Sequence, residues 1–157
     1  MNKIYYFDTS AYWKYYRGQN EAGFHTLRQL VASQKKPIWL SLFTMLEFHS
    51  RTEKAIRQGQ IKRRKRSKLL KGIRGDIGKS RSFIIVSLPK GVYQEAERMI
   101  LTYHYNFGTM DAIHLAIVNL LKQTTPNIIM ITSDGGIINA CRDANIDTFD
   151  PEKDRFH

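Results

Sequence analysis

Ile4-Tyr5-Tyr6-Phe7-Asp8-Thr9-Ser10 is the stretch whose reading decides the fold. Four β-prone residues run directly into Asp-Thr-Ser, the residue types that cap helix N-termini. A strand that hands over to a helix and leaves an acid at its carboxyl end is the repeating unit of a parallel sheet. The pattern returns down the chain. Pro37 opens a second strand, Ile38–Ser41, followed by a helix from about Leu42 through Glu47 toward Ile56. Phe83–Val86 is a third strand, apolar enough to be buried on both faces; Pro89 stops it, and a helix from about Val92 to Tyr103 follows. Ile128–Thr132 is the fourth, before a short helix at 137–144, and Ile146–Phe149 is the fifth. Further helices are expected at Ala11–Tyr16, along the face Phe24, Leu27, Leu30 and Val31, and at Met110–Lys122. Strands alternating with helices predict an α/β protein with a parallel, doubly wound sheet. With no repeat and no linker, residues 1–157 are expected to form one domain.

Composition narrows the class. The chain has 157 residues, 42% of them hydrophobic, which suits a packed core and excludes disorder or a collagen-like chain. No apolar run approaches the ~20 residues of a membrane span, and the first residues lack the apolar core of a signal peptide. A single cysteine, Cys141, cannot form an internal disulfide, so a cytoplasmic location is expected. The net charge of +11 comes from 25 Lys+Arg against 14 Asp+Glu. Thirteen of those bases and only two acids, Glu53 and Asp76, lie between Arg51 and Arg81, which leaves 12 of each sign for the other 126 residues. A neutral body with one cationic segment points to a nucleic acid or other polyanion partner, and Lys62, Arg63, Arg64, Lys65 and Arg66 are its candidate contacts. The plainer reading is a solvated helical face. This segment is expected to be helical over about Gln60–Lys71. Gly72, Gly75 and Gly78 then weaken the helix toward a mobile connector.

Ligands of open parallel sheets sit at the carboxyl ends of the strands, which gives the acid positions meaning. Asp8 ends the first strand and Asp134 follows the fourth. Glu47 lies in the helix after the second strand, and Asp111 opens the helix Thr109-Met110-Asp111-Ala112-Ile113-His114. Four carboxylates drawn to one rim repel one another unless a cation joins them. Oxygen-only donors suit Mg²⁺ or Mn²⁺, and such a site can direct water at a phosphodiester. Each acid also has a plainer use: Asp8 and Asp111 as helix caps or first-turn acids, Asp134 as a turn residue before Gly135-Gly136. Glu47 sits among Leu42, Phe43, Met45, Leu46 and Phe48, where an unpaired carboxylate is costly. His114 is expected to be a packed core histidine, and His49 to point away from Glu47. Cys141 is expected to be a buried small hydrophobe. Tyr5, Tyr6, Tyr12, Trp13, Tyr15 and Tyr16 are expected in the core or at a subunit interface, with base stacking as the other use.

At these residues the sequence resembles the PIN-domain ribonucleases, and within them the VapC-type toxins of type II toxin–antitoxin pairs. The matching pieces are Ile4–Ser10, Ser41–Phe48, Thr109–Ala116 and Ile131–Asp134, spread over residues 3–151. The resemblance implies a three-layer sandwich around a five-stranded sheet ordered 3-2-1-4-5. It implies that Asp8, Glu47, Asp111 and Asp134 form the catalytic metal site, with Asp8 and Asp111 as the most direct ligands. Ser10 and Thr132 would supply supporting hydroxyls. It further implies an RNA substrate, a small antitoxin partner and a homodimer. Two departures stand out. Gly135-Gly136-Ile137 follows Asp134 where many relatives are more polar and carry a further acid, and the 51–81 segment is longer and more cationic than in small toxins. The alternatives are a solitary PIN-fold RNA-binding or RNA-processing protein with little nuclease activity, and a DNA nuclease of related architecture.

Overall fold

The computed structural model describes residues 3–155; residues 1–2 and 156–157, the ends of the expected unit, lie outside the described residues. Among the described residues five strands form one sheet: β1 (Ile4–Phe7), β2 (Ile38–Leu40), β3 (Phe83–Ile85), β4 (Ile128–Ile131) and β5 (Asp147–Phe149). All pairings are parallel and the order is β3-β2-β1-β4-β5, as expected. The helices are α1 (Thr9–Arg17), α2 (Phe24–Ser33), α3 (Leu42–Arg57), α4 (Lys65–Gly78), α5 (Val92–Thr102), α6 (Thr109–Lys122) and α7 (Gly135–Asp143).

The pleat of β1 and β4 divides the core in two. Ile4, Tyr6, Ile128 and Met130 face a layer built from α5, α6 and α7. Tyr5, Phe7, Ile129 and Ile131 face the opposite layer, which holds α1, α2 and α4. Alternate side chains of one strand point to opposite faces, so strands apolar at every position require cover on both sides. The N-terminal aromatics fill the second layer. Tyr12 meets Phe48 and Phe83 edge-on, with ring centroids 5.2 Å apart in each case. Cys141 is fully buried, with its Sγ 3.6 Å from Met130 Sδ.

Three expectations need correcting. β3 is an edge strand: Phe83 is buried, but Ile85 is 38% exposed and only one neighbour, β2, pairs with it. The apolar start of α3 is also not enclosed, since Leu42 and Leu46 are 58% and 65% exposed. The cationic helix is displaced toward the C-terminus. Gly59, at φ +73°, ends α3, and the backbone N–H groups of Gln60 and Ile61 fold back onto Ala55 O. α4 then runs through all three glycines. Leu69, Ile73 and Ile77, spaced four apart, pack on the core from one face of it. That burial outweighs the ~1 kcal/mol that each glycine costs a helix.

Candidate active site

Register sets the first part of the site. Phe7 and Ile131 are paired across β1 and β4, so Asp8 and Thr132 continue that register at the carboxyl ends. The Asp8 N–H donates to Ile131 O at 3.3 Å. Its side chain caps α1, Oδ1 accepting from Ala11 N at 2.6 Å. Asp8 is only 3% exposed. Burial raises its carboxyl above the ordinary range, against the opposing pull of Ala11 N–H, the Thr132 hydroxyl and the charges of His114 and Arg51. Thr132 Oγ1 also accepts from Asp134 N at 3.1 Å, so one hydroxyl ties two of the four acids together.

The second part is a polar chain across the α1–α3–α6 junction. Ser41 and Thr44 form a capping box that starts α3 and aims Glu47 toward α1. Glu47 Oε2 accepts from the Thr9 hydroxyl and lies 3.1 Å from His114 Nε2. His114, 1% exposed, also meets Thr9 Oγ1 at 3.0 Å and Tyr6 OH at 2.8 Å through Nδ1. Burial opposes charge on Glu47, but the bonds from His114 and Thr9 and the nearby Arg51 outweigh it, and the carboxyl lies below its usual range. Glu47 is thus held ionised. His114 is the buried histidine the sequence led one to expect, with its polar atoms satisfied by the site itself.

Asp111 lies half-buried in the first turn of α6, one turn before His114, and accepts from Gly108 N at 2.7 Å. Asp134 is exposed at the N-cap of α7 and accepts from Ile137 N at 3.0 Å. The loop before α6 links these two acids. Asn106 O lies 2.5 Å from where a Cβ on Gly136 would be, and Tyr105 OH donates to Asp143 at 2.7 Å. Only glycine permits that approach, which accounts for the residue found at position 136.

Thr132 thus joins Asp8 to Asp134, Thr9 and His114 hold Glu47, and Asp111 is bonded to Gly108 N alone. Among the described residues, no three His, Cys, Asp or Glu side chains are grouped as a metal cage. The Ser10 hydroxyl hydrogen-bonds to none of the acids. The hydroxyl that touches Glu47 belongs to Thr9. Its one signal in the sequence is its position beside a strand-end aspartate. Lys62–Arg66 are exposed in the turn after α3 and the first turn of α4, and Arg66 pairs with Glu53 at 2.7 Å. Asp76, the other acid of the cationic segment, accepts from Tyr16 OH at 2.6 Å. Both acids are occupied, and Lys62, Arg63, Arg64 and Lys65 face solvent with, among the described residues, no carboxylate partner.

The solved structure of FitAcB from Neisseria gonorrhoeae is similar to this chain over 96% of its length and 99% of that chain, with a TM-score of 0.61 and 16% identity. The chain has the PIN-like fold. No protein-family model and no curated protein matches the sequence. In this PIN-like fold Asp8 and Asp134 follow the carboxyl ends of the adjacent central strands β1 and β4, while Glu47 and Asp111 are carried by α3 and α6. Among the described residues no helix is long and apolar enough to cross a membrane.

Proposed function

We propose that this protein is a divalent-metal-dependent endoribonuclease, the toxin of a toxin–antitoxin pair. The observation that carries the reading is Asp8 at the carboxyl end of β1 in a PIN-like sheet, buried with its charge poorly compensated and tied through Thr132 to Asp134. A cation relieves such a carboxylate, and an all-oxygen donor set suits Mg²⁺ or Mn²⁺. Mg²⁺ takes one or two carboxylates directly and keeps waters, so Asp8 and Asp111 would hold it, with Glu47 and Asp134 as its further acidic neighbours. When bound, the ion lowers the pKa of water and neutralises charge developing on the phosphate. Thr9 and His114 hold Glu47 Oε2 ionised and oriented, ready to accept a proton from a water beside it. Thr132 fixes the Asp8 carboxylate against the backbone of Asp134. Lys62, Arg63, Arg64, Lys65 and Arg66 grip the RNA backbone away from the cut.

Asp8→Asn or Asp111→Asn is expected to abolish RNA cleavage while leaving the circular dichroism spectrum unchanged. Cleavage at the wild-type rate by either purified variant overturns the reading. A second copy of the chain would cover the exposed apolar side chains Leu42, Leu46, Tyr93 and Leu101, making a homodimer, and an antitoxin would block the acidic rim. The second reading, a solitary RNA-binding protein of the same fold, is favoured by the cationic segment alone. It requires that Mg²⁺ never shortens a bound RNA.

A further inference from the structure

A cleft of 540 Å³ opens between α1, α3 and the turn into α4, within the ~300–1,000 Å³ usual for ligand sites. Its floor is aromatic: Trp13 packs on Phe48 with centroids 5.3 Å apart, and the Arg17 guanidinium lies 5.6 Å from the Trp13 ring. Its rim is cationic, with Lys62, Lys65 and Lys68 exposed and, among the described residues, without a carboxylate partner. Thr9, Trp13 and Arg17 are spaced four apart along one stripe of α1; Trp13 and Arg17 line the cleft, and Thr9 is the residue that bonds Glu47. On α3, Arg51 follows Glu47 by the same spacing, is exposed, and its charge acts on both Asp8 and Glu47. Trp13 is five residues beyond Asp8, about 7.5 Å along the helix axis.

The geometry points to this cleft as a binding site for single-stranded RNA, with an unpaired base stacked on Trp13 and backbone phosphates held by Lys62, Lys65 and Lys68. The inference rests on the ribonuclease reading for its ligand class. An aromatic face with a guanidinium beside it holds unpaired bases, and duplex RNA offers no free base face to it. Arg17, at the cleft, and Thr9, which bonds Glu47, lie at opposite ends of that α1 stripe, so a single strand lying along it would reach from the cleft toward Glu47.

Anisotropy of a short fluorescein-labelled RNA of mixed sequence, in EDTA, tests this with wild type, Trp13→Phe, Trp13→Ala and Lys62→Gln/Lys68→Gln. A duplex of the same sequence is the comparison. Single-stranded affinity is expected to fall about fivefold or more in Trp13→Ala, to be largely kept in Trp13→Phe, and to exceed that of the duplex. The Trp13→Ala change leaves the salt dependence of binding as it is, whereas the double lysine variant lowers its slope by about 1. Equal single-strand binding by wild type and both Trp13 variants overturns the inference. So does a cleft that takes an acidic partner peptide while Trp13→Ala leaves RNA affinity unchanged. If Trp13→Ala unfolds, the double lysine variant carries the test, and an unchanged salt slope then overturns the inference. The readout needs no cleavage: a wild type that binds as described but never cuts RNA sinks the ribonuclease reading alone, and a protein that cuts RNA with Trp13 indifferent sinks the cleft alone.

Discussion

Asp8 serves two roles with opposite energetic signs. As the cap of α1 it stabilises the helix, and asparagine caps equally well. As a buried carboxylate it destabilises, because burial raises its pKa and the folded state holds the proton more tightly than the unfolded chain. That cost is absent below the ordinary carboxylate range and grows as pH rises through the raised value. Asp8→Asn in EDTA is therefore expected to melt at a higher Tm than wild type at neutral pH, the gap closing as the buffer is acidified. Adding Mg²⁺ should raise the wild-type Tm and leave the variant unmoved. A variant less stable than wild type across the whole pH range contradicts this account. His114 makes the complementary case. His114→Ala removes the ring's bond to the Tyr6 hydroxyl and one of the two bonds on Glu47. It is expected to cost about 1–3 kcal/mol in denaturant melts and to slow cleavage, with His114→Gln recovering part of both. The positions of Asp8, Asp111 and Asp134 were legible in the sequence because a strand end or a helix start marks each of them. Thr9 and the bonding of His114 were not, because those contacts join residues 38 and 105 positions apart.

Among the elements, α4 departs most from local propensity. Gly72, Gly75 and Gly78 recur every third residue, and a Cβ added to any of them meets nothing within 4 Å. Propensity therefore suggests a connector, whereas Ile73, fully enclosed, and the Tyr16–Asp76 bond hold a helix together. Gly75→Ala is expected to stabilise the protein by about 0.5–1 kcal/mol, measured by urea unfolding, with no change in fold. Destabilisation would mean that the helix needs the glycine for a reason other than space. The error over β3 has a different source. A run such as Phe83-Ile84-Ile85 carries the same apolar signal at the centre of a sheet and at its edge, and only the pairing order distinguishes them. Glycine 136 resisted sequence reading for a related reason: the carbonyl that demands it belongs to Asn106, in a loop with no pattern of its own.

For the molecule as a whole, the alternation of strands and helices was enough to predict a parallel α/β sheet, and the resemblance supplied the strand order. The charge partition was equally plain, since all of the +11 falls within 51–81. Neutralising Arg63, Arg64 and Lys65 together is expected to reduce the slope of log affinity for single-stranded RNA against log salt by about 2. An unchanged slope would assign the segment to a protein partner or to solubility. The attachment of that segment has a further consequence. α4 reaches the core through one stripe of three apolar residues and one tyrosine bond, while the rest of its surface is free of packing constraint. The charged residues of α4 and the residues that maintain the scaffold are thus nearly separate sets. If the segment binds RNA as proposed, substitutions there would change the partner without unfolding the protein on the way.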